Sequence, residues 1–261
     1  MRGYRIFLKK ELIEAFKTYK LLIMGAVFIV FGILSPLMAK MMPDIMKWAM
    51  QTDPSTAGMD LSALFTEPKA LDAWAQFYSN IGQIGLIVLV IVFSGMISSE
   101  LSKEKLTILL TKGLSRSAVI LSKLTSSVLI WTGSLVIAFF ISWGYTTYFF
   151  PGEKLPNLLL AVFCLWLFGV FLLALLALAA ALTKKSYVIC MLSVGASVII
   201  LNLLNIIPRV EKYNPATLAS SSMSLISELV TPRGVYPTLV VAVIVIIALT
   251  MLAVISFDKQ A

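Results

Sequence analysis

The sequence contains no histidine and only two cysteines among its 261 residues. Without histidine the chain has no imidazole base and no histidine-bearing metal site. Cys164 and Cys190 both lie inside apolar runs, and this placement implies no disulfide framework. The phosphate-binding loop G-x-x-x-x-G-K-[ST] is also missing, because the glycine of the TKGLSR segment is followed by leucine. We therefore expect the chain to be no enzyme and to hold no cofactor, so that any energy it uses comes from another chain.

Charged side chains are scarce: 13% of residues are charged and 59% are hydrophobic, whereas soluble domains carry about a quarter charged residues. A water-soluble core cannot absorb this much apolar surface, so most of the chain is expected to face lipid. The apolar runs are long and continuous rather than alternating, which predicts helices. The sequence thus predicts an all-α integral membrane protein, a single transmembrane domain over 1–261 with spans at about 21–39, 81–98, 124–149, 158–182, 187–207 and 237–256.

The segments outside the spans carry most of the polar residues. Residues 1–20 place apolar side chains at helical spacing and lysines largely on the other face, which favours a helix in the membrane interface over a frayed charged leader. Pro36 is expected to kink or end the first span. Two longer polar segments, 40–80 and 208–236, are predicted to be external, with short helices around 44–51, 69–80 and 217–230. The apolar residues at helical spacing within residues 1–20 are Tyr4, Phe7, Leu8, Leu12, Ala15, Phe16 and Tyr19.

The distribution of lysine and arginine predicts the orientation. Six spans put both termini on one side, and that side receives 14 of the 21 basic residues. Since cytoplasmic loops carry the excess of basic residues, both termini and the connector at 99–123 are predicted to be cytoplasmic. Orientation then accounts for the net charge of +8, and no nucleic-acid partner is needed.

No charged residue lies in the middle of a predicted span. A charge there costs about 2.5–3.5 kcal/mol, so buried charges persist mainly where function needs them. Their absence disfavours an ion-coupled secondary transporter and an intramembrane hydrolase. Asn202 and Asn205 share one helix face, which makes them candidates for contact with a helix partner or a permeant. Plain helix packing is the alternative reading.

The connector at 99–123 is amphipathic and too charged to enter lipid. A segment of this kind at a membrane surface is either a solvated connector or a handle for a partner. Its leucines Leu106, Leu109 and Leu110 are the expected anchors for such a partner, unless they merely lie on lipid. Glu100, Arg116 and Lys123 are expected to orient the connector through their charge.

The wording of this segment, SSELSKEKLTILLTKGLSRSAVILSK over 98–123, resembles the connector between the second and third spans of type-2 ATP-binding-cassette (ABC) exporter permeases. The match consists of the leading Glu100, the leucines, the turn LTKGLSR at 110–116 and the closing Lys123. Glu104 and Lys105 stand where that family has Gly-Thr. FLKKELIEAFKTYK, residues 7–20, resembles the family's N-terminal elbow helix, and YNPATL, residues 213–218, resembles a segment before the last span.

The resemblance implies the permease subunit of an exporter in a plasma membrane, with a bacterial one the natural expectation. The apolar spans favour an amphiphilic or peptidic substrate over small ions. It implies a separate ATPase chain that binds ATP and magnesium and docks on the connector. It also implies a second permease, either another copy or a sister chain. A membrane anchor or sensor that holds a cytoplasmic partner without transporting anything would share the same connector, so it stays as the alternative.

Overall fold

The structure is a computed structural model that describes residues 2–52, 67–98, 115–153, 155–183 and 187–258. Over these ranges the chain is helical and contains no β-strand. Six helices are long and apolar enough to cross a membrane, which confirms the predicted all-α, six-span class. These candidate spans are Lys20–Ile45, Ala70–Gly95, Ser117–Phe149, Leu158–Thr183, Tyr187–Leu204 and Pro232–Phe257.

The helices themselves extend beyond several of these spans. A π-helical turn, Ile81–Gly85, joins the helices Ala70–Asn80 and Leu86–Ser98 without a break. In chain order the α-helices are α1 (Arg2–Lys17), α2 (Lys20–Thr52), α3 (Ala70–Asn80), α4 (Leu86–Ser98), α5 (Arg116–Phe149), α6 (Leu158–Thr183), α7 (Tyr187–Leu204), α8 (Pro208–Glu211), α9 (Thr217–Ile226) and α10 (Pro232–Asp258).

The first span differs most from expectation, because α2 continues through Pro36 and Pro43 to Thr52. Of the two predicted effects of Pro36, ending the helix is therefore wrong, whereas a kink stays a prediction, and residues 44–51 belong to α2 and form no separate helix. A proline removes one backbone hydrogen bond, and packing against neighbouring helices lets a membrane helix absorb that loss. Here α2 packs along both α5 and α3.

The second span is also longer than predicted. The sequence separates a short external helix at 69–80 from a span at 81–98, whereas the structure joins them through the π-helical turn into one continuous helix. Asp72 closes its start by accepting a bond from the backbone N–H of Lys69 at 2.8 Å. Glu153, from the turn after α5, accepts the N–H of Ala70 at 2.6 Å. The two carboxylates thus accept hydrogen bonds from two backbone N–H groups that have no partner within the helix at its start.

The boundaries of the last three spans lie close to the predicted ones, whereas the third helix begins at Arg116 instead of 124. The fourth helix ends one residue beyond the predicted 158–182, at Thr183. The fifth helix ends at Leu204 instead of 207. The last one begins at Pro232 instead of 237 and keeps Pro237 inside, and the short helix predicted over 217–230 stops at Ile226.

Helix α6 forms the centre of the bundle, since it is the most buried of the candidate spans and packs against α4, α5, α7, α9 and α10. Two tryptophans fix it to α5. The indole N–H of Trp131 donates to the carbonyl of Trp166 at 3.1 Å, and the indole N–H of Trp166 donates to Thr132 Oγ1 at 2.9 Å. The ring of Trp131 also meets Phe28 of α2 edge-on, with the centroids 5.4 Å apart.

Gly169 of α6 lies directly against the ring of Trp131, where a Cβ atom would come within 2.3 Å of Trp131 Cε2. The tryptophan is fully buried and held by its hydrogen bond, so it has little room to move. Forcing extra volume into a packed interior costs about 1–3 kcal/mol. Gly169→Ala is therefore expected to lower the thermal unfolding midpoint of the detergent-solubilised protein.

The matched control is Gly195→Ala in α7, where an added Cβ meets nothing within 4 Å. Alanine is the better helix former by about 1 kcal/mol, so this variant is expected to unfold at the wild-type temperature or above it. Equal midpoints for the two variants would contradict the packing assigned to Gly169.

Candidate coupling site

Part of the predicted partner-binding segment lies outside the described residues, namely Glu100, Leu106, Leu109 and Leu110. The structure resumes at Ser115, whose hydroxyl caps α5 by accepting the N–H of Ala118 at 3.4 Å. Arg116 is the first residue of that helix. Lys123 lies two turns further along, so the third span starts earlier than the predicted residue 124. The sequence places Lys123 at the end of a solvated connector, whereas the structure buries it.

The partner of Lys123 is an acid on the N-terminal helix. Lys123 Nζ lies 3.1 Å from Glu11 Oε2, and both side chains are only 2% exposed. Lys10 Nζ approaches the other carboxylate oxygen at 3.7 Å. Removing two charges from water is costly, and the cost is repaid only when the charges are paired at short distance. The pair therefore explains how a lysine can lie inside a helix that otherwise reads as a membrane span.

Two further contacts hold α1 against α5. The hydroxyl of Tyr4 donates to Thr125 Oγ1 at 2.8 Å, about two turns along α1 from Glu11. On the same face of α1, the side chains of Phe7 and Ala15 are buried. We call the contact formed by Tyr4, Phe7, Glu11, Lys123 and Thr125 the α1–α5 joint. An ion pair, a hydroxyl pair and apolar packing along one face leave α1 little freedom to move independently of α5.

Small hydroxyl side chains surround Lys123 on its own helix. Ser126 and Ser127 both donate to the carbonyl oxygen of Lys123, at 3.0 and 2.9 Å, and Ser122 donates to the carbonyl of Ala118 at 2.7 Å. All three serines are buried. Small residues allow helices to approach closely in a membrane protein, and these serines satisfy their hydroxyl groups within their own helix.

The outward face of α1 differs from the predicted apolar face. The sequence groups Phe7, Ala15 and Phe16 together as the side turned towards lipid. In the structure Phe7 and Ala15 face the protein, whereas Phe16 is 71% exposed, together with Ile6 and Ile13. The helix itself exists as predicted over Arg2–Lys17, and its position in the membrane interface stays a prediction.

Asn202 and Asn205 do not act as a pair. The amide of Asn202 is exposed and donates to the carbonyl of Val198, in its own helix, at 2.9 Å. Asn205 lies beyond the end of α7 and accepts a bond of 2.6 Å from Asn214. Asn214, which is buried, also donates to Leu201 and accepts from the N–H of Ala216. These bonds hold the turn after α7, and contact of Asn202 or Asn205 with a helix partner or a permeant stays a prediction.

Two important residues escaped the sequence reasoning. Glu11 is not among the residues that the sequence indicates as a site, although its i, i+4 spacing to Phe7 and Ala15 puts it on the buried face of α1. Asn214 belongs to the YNPATL segment but was not singled out there. Among the described residues no group of His, Cys, Asp or Glu is arranged to hold a metal ion.

Removing one charge of the pair is expected to be strongly destabilising. Glu11→Gln takes away the carboxylate that lies 3.1 Å from the buried ammonium of Lys123, and removing one partner of a buried pair costs about 3–5 kcal/mol. Thermal unfolding of the solubilised protein measures the loss. The double variant Glu11→Leu with Lys123→Met removes both charges and is expected to recover most of it.

Glu14→Gln is the control, because Glu14 pairs with Lys10 at 3.1 Å while 38% of its side chain is exposed. A pair of this kind contributes about 0.5 kcal/mol or less. If Glu11→Gln and Glu14→Gln destabilise equally, the buried pair does not hold α1 in place.

No protein-family model, curated protein or solved structure matches this chain.

Proposed function

We propose that this chain is the membrane-spanning permease subunit of an ABC exporter, driven by a separate ATPase that docks on the connector at 99–123. Two things support the proposal. One is the resemblance of residues 98–123 to the connectors of type-2 exporter permeases. The other, which carries most weight, is the position of the α1–α5 joint. Helix α5 begins at Arg116, inside the connector, and is tied to α1 within its first three turns.

This arrangement gives a route for mechanical force. When the ATPase pair closes on ATP and magnesium, it presses on the leucines of the connector, and α5 receives the displacement at its first turn. Because Glu11 and Tyr4 fasten α1 to α5, the two helices move together as a rigid body. Helix α2 follows α1 after a tight break at Tyr19, which has a φ of 59°, so the first span receives the same displacement.

The remaining parts of the proposal follow from composition, charge and the family resemblance. The apolar spans favour an amphiphilic or peptidic cargo, and the excess of basic residues on one side favours cytoplasmic termini. The resemblance implies a bacterial plasma membrane. The transport pathway is formed with a second permease, either another copy or a sister chain.

Leu109→Asp combined with Leu110→Asp is expected to abolish co-purification of the permease with its ATPase, because two carboxylates cannot enter an apolar partner groove without unpaired burial. Affinity purification from membranes that contain both chains measures this. Thr107→Asp combined with Thr111→Asp introduces the same charges at neighbouring connector positions and is expected to retain the ATPase. Retention by the leucine variant as well would rule out these leucines as the docking anchors.

Transport itself is measured in vesicles that contain the purified complex. ATP-dependent movement of an amphiphile or peptide is the expected result. A complex that binds the ATPase and hydrolyses ATP without moving solute would instead indicate the anchor or sensor. The double variant Glu11→Leu with Lys123→Met is expected to bind the ATPase normally while moving less solute per ATP hydrolysed.

A further inference from the structure

A line of polar side chains lies on the surface of the second span. Gln76, Ser79 and Gln83 are exposed, and Asn80 beside them is half-buried. Their spacing of three and four residues puts them on one face of the helix. We call these four residues the outer polar stripe. Ser79 and the two glutamines point away from the body of the protein, although Ala70–Gly95 is one of its candidate membrane spans.

The stripe is connected by hydrogen bonds along the helix and to α2. Gln76 Nε2 donates to Asn80 Oδ1 at 3.3 Å, and Gln83 Nε2 donates to Ser79 Oγ at 3.2 Å. Asn80 Nδ2 donates to Ser35 Oγ of α2 at 3.1 Å. An amide group has two N–H donors and a carbonyl acceptor, so each glutamine has capacity for further bonds on its outward side.

The bond between Asn80 and Ser35 shows the depth of the stripe. Ser35 lies fifteen residues after Lys20, where α2 begins, which is about 22 Å along the helix axis. The hydrocarbon core of a bilayer is about 30 Å thick. Asn80 thus lies in the half of the membrane farther from Lys20, which we call the outer half. Gln83 lies about one turn closer to the middle of the membrane. Gln76 lies one turn nearer the far surface.

Direct contact between this polar face and lipid hydrocarbon is energetically unfavourable. Hydrocarbon offers no hydrogen-bond partner, and polar side chains inside membranes therefore face the protein interior or a water-filled cavity. Deeper along the same helix the exposed side chains turn aliphatic, with Ile84, Ile87 and Ile91. The change falls within the π-helical turn Ile81–Gly85, a distortion often found at functional sites. The face is thus polar in its outer half and apolar below.

We propose that the outer polar stripe lines a water-filled vestibule that opens on the side of the membrane opposite Lys20 and receives the polar part of an amphiphilic cargo. The aliphatic side chains below it receive the apolar part. The assignment of a cargo rests on the proposed function, whereas the presence of water follows from the burial, depth and hydrogen bonding of the stripe alone. The two can therefore fail separately.

Cysteine accessibility tests the vestibule. Both native cysteines are buried and are replaced by alanine, and single cysteines are then introduced as Gln83→Cys, Gln76→Cys and Ser79→Cys. The last of these exchanges one atom only, which guards against a folding defect. Intact cells or right-side-out vesicles are treated with a charged, membrane-impermeant methanethiosulfonate. The thiolate is the reacting species, so a cysteine in water reacts and one in lipid does not.

Val240→Cys is the matched control. Val240 is 59% exposed and lies eight residues into α10, a comparable depth of about 12 Å below the start of that helix. It belongs to one of the two least buried spans, whose outward face is apolar. Cysteines in the stripe are expected to react at least about tenfold faster than the cysteine at 240.

Equal, slow reaction at 79, 83 and 240 would overturn the vestibule. Spontaneous disulfide cross-linking of two chains at position 83, without reaction with the reagent, would also overturn it, because the stripe would then be a dry contact between two copies. Neither result depends on ATP. A reactive stripe in a protein that fails to transport would retain the vestibule and reject the exporter, whereas ATP-driven transport with an unreactive stripe would do the reverse.

Discussion

A charge can remain inside a low-dielectric bundle only when an opposite charge meets it, and the N-terminal third of the structure follows from this constraint. Lys123 is placed inside a span, and Glu11 compensates it from a helix more than a hundred residues away in sequence. That requirement brings α1 against α5, and the hydroxyl pair and the buried phenylalanine then fit around it. Burial of a pair is weak evidence for extra stability. It does fix which face of α1 meets the protein.

The fold class was readable from the sequence because lipid imposes long apolar helices whatever the details of packing. The fourth helix is almost where its apolar run predicts it. The prediction failed where a local rule met long-range packing: Pro36 does not end α2, and Lys123 does not end the connector. From the local sequence, Pro36 was expected to interrupt its helix and Lys123 to mark the end of the connector. Each is accommodated inside a helix because segments distant in the sequence contact that helix. Glu11 escaped notice for the same reason, since its partner cannot be seen from neighbouring residues.

The polar residues of the second span also show that local sequence does not predict contacts between distant segments. Gln83 lies within the predicted apolar run, and Gln76, Ser79 and Asn80 were assigned to an external segment. Only the continuity of the helix from Ala70 to Ser98, together with the contact of Asn80 with Ser35, brings them into one line within the membrane. Depth in a bilayer depends on contacts between helices, and hydropathy along one chain does not report it.

The indole hydrogen bonds of Trp131 to the carbonyl of Trp166 and of Trp166 to Thr132 bear on how far a displacement of the N-terminal end of α5 spreads. Each indole is bonded to the other helix, and the ring of Trp131 fills the notch at Gly169. Helix α5 is therefore unable to slide or roll past α6 without breaking both bonds. Since α6 contacts α4, α7, α9 and α10, any displacement of α5 would be passed through α6 to four further helices, and the two indoles make that connection.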